Sequence, residues 1–434
     1  MDITLISALL LIVLTGVLLL ARVPVAVALG LSAFFAIAVV VGLQEASFVA
    51  AQRITTGMGS VTLLAIPLFI LAGTIMNTGG IALRLIEAAD VIVGRMPGSL
   101  AQTNVVANTM FGSVSGAAVA SAAAVGTVMS PRQRAQGYHP GFSAAVNVAS
   151  APSGMLIPPS NTLIVYSLVS GTSIAALFTA GYVPGLLWML ACGLVVWLVS
   201  RRDTSMRSGA RPSFQTATIT LARAVPAVLM VVIVIGGILT GVFTPTESAA
   251  IAVLYCLGLA AIYRTLRMQD LPQVLLTATR TTVIVVLLVG VSAVLSWAMA
   301  ISGIPDALAS AILGFTDSPT VILTIMMVLL LVIGTFMDPT PAILIFVPIL
   351  LPIATALGVD PVHFGIMVTF NLSLGTITPP VGVTLFIGSR VGDVDVERLV
   401  RRLLPFFLAL VVTLLLVVFV PQLSLWLPDV LNLR

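Results

Sequence analysis

Lysine is absent from this 434-residue chain, whose 19 basic residues are all arginine. Charge of either sign is scarce, at 8% of residues, and no basic tract is compact enough to suit nucleic acid. Cysteine occurs only as Cys192 and Cys256, in separate apolar runs, which gives neither a disulfide framework nor a metal-binding spacing. The only histidines, His139 and His363, stand at the starts of apolar segments, so the intramembrane serines have no evident general base. No polar stretch is long enough to form a soluble domain. What is present is apolar: 59% hydrophobic residues and a mean hydropathy of +1.20 exclude a soluble globule and predict an all-α polytopic protein of the lipid bilayer. The N-terminal apolar run from Ile3 to Leu20 follows Asp2 without a basic leader, and reads as a retained helix rather than a signal peptide.

Residues 112–171 recur weakly at 333–392 with a constant offset of 221. Pro131, Ala135, Gly137, Pro140, Gly154, Pro158, Pro159 and Gly171 fall on Pro352, Ala356, Gly358, Pro361, Gly375, Pro379, Pro380 and Gly392. These are residues that shape backbone, so the two halves share a chain path more than a chemistry. Such internal repeats are a signature of secondary transporters. Two apolar segments, 99–130 and 321–351, are too long for one comfortable span and are interrupted at Gly112–Gly116 and Gly334–Thr340. Both read as re-entrant helical hairpins. Segments 138–170 and 363–390 are broken at Ser150–Ser160 and Asn371–Pro380, where Pro158-Pro159 and Pro379-Pro380 remove backbone donors. Unwound backbone at membrane depth is tolerated where it lines a cavity or is buried in protein, so these breaks mark a site.

The expected organisation is scaffold helices over 1–60, a first repeat over 61–171, further scaffold over 172–280, a second repeat over 281–392, and a C-terminal helix over 393–434. Counting hairpins as zero crossings leaves ten spans. One side then receives every arginine except Arg53 and Arg434, a division of 17 to 2. The arginine-rich side is cytoplasmic by the positive-inside rule, which puts both termini outside. Five spans separate the starts of the two hairpin units, an odd number, so the repeats are inverted.

Half-helix N-termini favour an anion, whereas carbonyls and hydroxyls at C-terminal ends suit a hard cation such as Na⁺. The first pole offers Ser113, Ser115, Ser150, Ser153 and the Gly154 carbonyl; the second offers Thr335, Asp338, Asn371, Ser373, Thr376 and Thr378. Asp338 is the one acid deep in an apolar segment, either a Na⁺ ligand or a proton carrier, with helix capping ahead of Pro339 as the rival role. Single hydroxyls in membrane helices commonly bond back to their own carbonyls, so the case rests on the four break regions together. Thr244-Pro245-Thr246-Glu247 reads as a capping box, which makes Glu247 structural.

Phe111-Gly112-Ser113-Val114-Ser115-Gly116, Leu156-Ile157-Pro158-Pro159-Ser160, Gly171-Thr172-Ser173, Phe243-Thr244-Pro245-Thr246-Glu247 and Thr378-Pro379-Pro380-Val381-Gly382 resemble, in order and spacing, the large membrane (M) subunit of tripartite ATP-independent periplasmic (TRAP) transporters. The resemblance runs over most of the chain. It implies an elevator-type transporter of the ion transporter superfamily in the bacterial inner membrane, driven by Na⁺ and importing an organic acid. It also implies two partners, a small four-helix membrane subunit and a periplasmic substrate-binding protein. Carried over by position, the residues of the two poles other than Thr376, together with Gly375, would hold Na⁺. Asn147, Ser160, Asn161, Thr340 and Thr376 would contact the substrate, and the paired prolines would shape the breaks. Most members of the family carry a small residue where Pro152 stands. Two other readings compete: a self-sufficient Na⁺-coupled anion transporter of the same superfamily, and an intramembrane hydrolase using Ser113 or Ser115.

The arginine division generates a topology test. In a background lacking Cys192 and Cys256, Ser205→Cys and Ser47→Cys should react with an impermeant thiol reagent from opposite sides, Ser205→Cys only from the cytoplasm. Labelling of Ser205→Cys from outside overturns the topology.

Overall fold

The computed structural model describes residues 3–21, 23–78, 80–201, 213–303, 307, 318–379 and 381–433. Pro380, Arg22, Arg202, Arg207, Arg211, Arg434 and the loop holding Ser205 lie outside the described residues. The chain opens with α1 (Ile3–Leu20), α2 (Val25–Val41), α3 (Leu43–Met58), α4 (Ala65–Thr78) and α5 (Ile81–Val93). The first hairpin is α6 (Ser99–Ser115) and α7 (Ala118–Ala135), followed by a broken helix of α8 (Pro140–Ser150), a 3-10 turn (Ala151–Met155) and α9 (Asn161–Ser170). Four long helices come next: α10 (Ile174–Ser200), α11 (Phe214–Leu239), α12 (Pro245–Tyr263) and α13 (Leu271–Ile301). The second hairpin is α14 (Pro319–Phe336) and α15 (Pro339–Ala356), its broken helix α16 (Pro361–Gly375) and α17 (Val383–Gly392), and the chain closes with α18 (Val396–Phe419) and α19 (Gln422–Val430).

The matched residues of the two repeats do matching work. Pro140 and Pro361 occupy the first positions of α8 and α16, where the missing N–H costs no hydrogen bond. Gly137 (φ 82°) and Gly358 (φ 80°) make the left-handed turn that closes each hairpin. Gly154 and Gly375 let backbone meet backbone. A Cβ on Gly154 would lie 2.2 Å from the Gly112 backbone, and one on Gly375 would lie 2.5 Å from the Gly334 backbone. The constant offset places Ile333 against Gly112, but the structure uses Gly334, one residue further on. The helix ends keep the offset of 221, with Ser115 and Phe336 closing the first arms and Ala118 and Pro339 opening the second.

Several boundaries differ from the expectation. The hairpins run on to Ala135 and Ala356, and the last long helix begins at Val396 rather than 402. Helix α13 begins at Leu271 rather than 281, and its 31 residues reach about 46 Å at 1.5 Å per residue. That exceeds the ~30 Å hydrocarbon layer, so its first turns, with Gln273, Thr277 and Arg280, are too polar to register as a span. Helices α3 and α5 escape hydropathy for a related reason. Gln44, Glu45, Gln52 and Arg53 on one, and Arg84, Glu87 and Asp90 on the other, suit helices lying along the membrane surface. The capping box forms as expected, with Glu247 accepting from Thr244 N at 2.7 Å.

Contacts between segment ends fall into two groups. In the first, Arg84 lies over the Tyr263 ring at 3.2 Å, Gly98 abuts Ser200, and Arg134 donates to the Gly392 carbonyl at 2.9 Å. In the second, Arg53 lies over Trp297, Thr246 donates to the Val61 carbonyl at 3.1 Å, Tyr166 donates to the Pro361 carbonyl at 2.6 Å, and His363 bonds Ser424 at 2.6 Å. The base of the first hairpin belongs to the first group, and that of the second hairpin to the second. The repeats are therefore inverted. Arg84 and Arg134 lie among the contacts of the first group and Arg53 among those of the second.

Packing divides the helices unevenly. Helix α4 packs on α12 and α13, and α13 on α2 and α3, forming a scaffold. The broken helices pack on their hairpins and on α10 and α18, while α5 touches both α6 and α11. Overpacking a filled contact costs about 1–3 kcal/mol, and a Cβ pressed into backbone has no rotamer by which to escape. Gly154→Ala and Gly375→Ala should therefore each lower the melting temperature and abolish uptake. Gly258→Ala, whose Cβ meets nothing within 4 Å, should leave both at wild-type values in the same assays.

Candidate functional site

At the first tip, α6 ends at Ser115 and Gly116 turns left-handed, its N–H donating to the Gly112 carbonyl at 2.8 Å. After the extended Ala117, α7 begins. At the second tip, α14 ends at Phe336 and Asp338 caps α15, accepting from Thr340 N at 3.1 Å. In the first break, Ser160 caps α9, accepting from Leu163 N at 3.3 Å while donating to the Met155 carbonyl. In the second, Gly382 N donates to the Thr335 carbonyl at 2.9 Å and Thr384 N to the Thr376 carbonyl at 3.0 Å, which joins break to tip.

These ends meet at a cavity of about 760 Å³. Four helix N-termini line it: Ala118–Ala120 of α7, Asn161 and Thr162 of α9, Pro339–Pro341 of α15, and Val383 and Thr384 of α17. The opposite wall comes from α2, α4 and α13. N-terminal ends carry partial positive charge and free N–H groups, so their convergence favours an anion. Among the described residues, Asp338 is the one charged side chain on this wall. No arginine lines it among the described residues.

The sequence-derived site residues separate into two sets. Ser115, Asp338, Thr340, Asn161 and Thr376 line the cavity. The Ser115 and Thr384 hydroxyls are buried there without a hydrogen-bond partner. Behind the cavity, Ser113 donates to the Met110 carbonyl at 2.8 Å, Thr335 to Val332 at 2.7 Å and Thr378 to Leu374 at 2.7 Å, while on the wall itself Thr376 donates to Ser373 at 2.7 Å. Ser150 donates to the Val146 carbonyl at 2.7 Å, and Ser153 to the Ser150 carbonyl at 2.7 Å. Each such bond spends the hydroxyl proton on backbone and leaves lone pairs as the remaining function, the state a cation ligand requires. Ser373 lies 3.7 Å from the Met155 sulfur, and Asn371 donates to the Met327 carbonyl at 2.8 Å with its own Oδ1 buried and unpartnered. Pro158 and Pro159 sit in the turn between the 3-10 segment and α9, and Pro379 in the turn between α16 and α17.

Asn147 does not reach the cavity. It is a buried strut that donates to the Ala122 carbonyl at 2.8 Å and accepts from Asn108 at 3.1 Å, tying the first broken helix to both hairpin arms. Ser160 is likewise buried as the α9 cap rather than turned to the cavity. Polar cavity residues outside the matched stretches 112–171 and 333–392 escaped the sequence reading: Thr74 and Asn77 on α4, and Thr277 and Thr281 on α13. The i, i+4 spacing of Thr277 and Thr281 is their one sequence signal. His139 caps α8 and His363 bonds Ser424, so neither approaches Ser113 or Ser115.

A polytopic fold of inverted repeats, with helix breaks and hairpin tips around one cavity, defines a membrane transport permease. The family model of the tripartite ATP-independent periplasmic transporter DctM component matches residues 11–423, and the chain belongs to that family. YgiK of Salmonella typhimurium is 52% identical over 94% of this chain and 93% of its own length. The sialic acid TRAP transporter large permease protein SiaM of Vibrio cholerae is 40% identical over 88% of this chain and 89% of its own. The crystal structure of the Alcanivorax borkumensis YdaH transporter, described as having an unusual topology, shares the fold at a TM-score of 0.63 and 16% identity, covering 87% of this chain and 88% of that one. Membership in a permease family removes the hydrolase reading.

Asp338 combines a cap with a cavity-facing charge, and the two roles separate by substitution. Asp338→Ala should destabilise the purified protein by about 1 kcal/mol through loss of the cap, whereas Asp338→Asn, which can still cap, should melt like the wild type. Equal melting of both variants overturns the capping role.

Proposed function

We propose that this chain is the large permease subunit of a Na⁺-driven, binding-protein-dependent importer of an organic acid. It would sit in the bacterial inner membrane with both termini periplasmic. The observation that carries the reading is the cavity: four helix N-termini suited to a carboxylate, and one carboxylate, Asp338, that opposes it. An anionic substrate entering beside Asp338 meets repulsion that a bound cation removes. Na⁺ at the oxygen-rich tips and breaks would supply that cation, which makes ion and substrate binding interdependent. Sialic acid transport by SiaM supports a carboxylate as the solute class.

With no guanidinium clamp among the described residues, the cavity would hold a carboxylate weakly. Tight capture then belongs to the periplasmic binding protein, and the small four-helix membrane subunit completes the three-part system that the family description names. In an elevator cycle the hairpins, broken helices, α10 and α18 would move against α2, α4 and α13. On that reading the moving unit would be narrower than residues 61–171 and 281–392, since α4 and α13 pack with the scaffold, and it would gain α10.

Proteoliposomes should accumulate solute only with this chain, its small membrane partner, the loaded binding protein and an inward Na⁺ gradient together. Uptake unchanged on replacing Na⁺ with choline at constant pH refutes Na⁺ coupling and leaves proton coupling through Asp338. Equal uptake of micromolar solute by this chain alone replaces the tripartite reading with a self-sufficient symporter. With Na⁺ coupling intact, Asp338→Asn should raise the half-saturating Na⁺ concentration at least about tenfold, the scale of one charge-assisted interaction.

A further inference from the structure

Helix α10 gives no residue to the cavity, yet it packs against α6, α8, α16 and α18. Gly181, Gly185, Trp188 and Cys192, spaced four, three and four apart, form one face of it. That face presses on the first break: a Cβ on Gly181 would lie 2.1 Å from the Leu156 carbonyl oxygen, and one on Gly185 would lie 2.3 Å from the Ile157 side chain. Trp188, the large residue of the stripe, is fully buried.

Trp188 touches both repeats at the same place. Its Nε1–H donates to the Ala149 carbonyl at 2.8 Å, where the Cys192 thiol also points at 3.5 Å. Its ring packs on Phe370 with centroids 4.6 Å apart. Ala149 and Phe370 are equivalent under the offset of 221, so Trp188 lies where the two repeats meet. Each anchor precedes a residue that ties its broken helix to its own hairpin. Ser150 accepts from Asn108 of α6 at 2.9 Å, and Asn371 donates to the Met327 carbonyl of α14 at 2.8 Å. A continuous run of contacts therefore passes from one hairpin through Trp188 to the other.

We propose that Trp188 is a positioning residue that holds the two poles in a common register, so that occupancy at one pole is felt at the other. The inference rests on the ion-coupled reading above. Ordering of the tip at the first pole draws on Asn108 and Ser150, and any shift of Ala149 reaches Phe370 and Asn371 through the indole. Trp188 sets cooperativity between the poles without touching solute.

The test titrates Na⁺-driven uptake in proteoliposomes holding the complete transporter. Trp188→Phe removes the N–H and keeps a ring; Phe370→Leu keeps the N–H and removes the ring. Each should lower the Hill coefficient for Na⁺ toward one and raise the half-saturating concentration about tenfold, the scale of one buried hydrogen bond, with the maximal rate within about twofold of wild type. A merely structural role would lower the amount of active protein and leave both Na⁺ parameters unchanged, and that result overturns the inference. Should neither variant insert, Trp188 fluorescence is read in a chain carrying Trp197→Phe, Trp297→Phe and Trp426→Phe. A saturable Na⁺-dependent change supports the proposal, and its absence overturns it. Wild-type uptake indifferent to Na⁺ overturns the ion-coupled reading together with this inference, whereas a Na⁺-dependent wild type with unaltered variants overturns this inference alone.

Discussion

Because neither Gly154 nor Gly375 carries a Cβ, the backbone of each broken helix lies directly on the backbone of a hairpin arm, at Gly112 and Gly334. Everything at the site is placed by that contact. It brings the tip of the hairpin level with the break, so a carbonyl-rich helix end and an N–H-rich helix end from different segments face one space. It also fixes where each polar strut can reach: Asn108 to Ser150 in one repeat, Asn371 to Met327 in the other. The direction of the strut reverses between repeats while the glycine contact stays. Backbone geometry is thus the shared inheritance of the two halves, and side-chain chemistry is where they part.

Among the described residues the proposed site is built without arginine, which follows from the same arrangement. Four helix N-termini supply partial charge that is spread out and held rigidly by the fold, rather than concentrated in one flexible guanidinium. A site of this kind costs little side-chain entropy to organise and binds loosely. Loose binding is an advantage in a carrier that must also let go.

The fold was legible to the extent that it is written in proline, glycine and hydropathy. Pro140 and Pro361, Gly137 and Gly358, and Gly154 and Gly375 announce helix starts, turns and close contacts because few other residues meet those demands. The arginine division bears on sidedness for a similar reason, since charge is costly to carry across, and the thiol-labelling test decides it. Helices α3 and α5 and the start of α13 were missed because a helix with a wet face lacks the uninterrupted apolar run that hydropathy detects. At the site, Asp338, Thr340, Asn161, Thr376 and Ser115 were found on the cavity wall through their place at the tips and breaks. Asn147 and Ser160, expected to contact the substrate, lie off the cavity wall as a strut and a cap, roles that sequence does not tell from a polar lining. Thr74, Asn77, Thr277 and Thr281 were missed because they belong to the scaffold, where repeat matching gives no guidance.

The scaffold wall of the cavity is mostly aliphatic, with Ile66 and Ile70 on α4 and Ile284, Leu287 and Leu288 on α13. Contact between such side chains is non-directional and depends on area rather than alignment. A surface of this kind has no preferred notch: one body can slide along it without breaking a row of bonds at each step. The glycine-locked hairpins across the cavity are the opposite, a fit with one setting. The molecule thus sets a stiff piece against a slippery one, and in the proposed elevator cycle the friction between them, rather than the strength of any single bond, would govern how easily the two shift past each other.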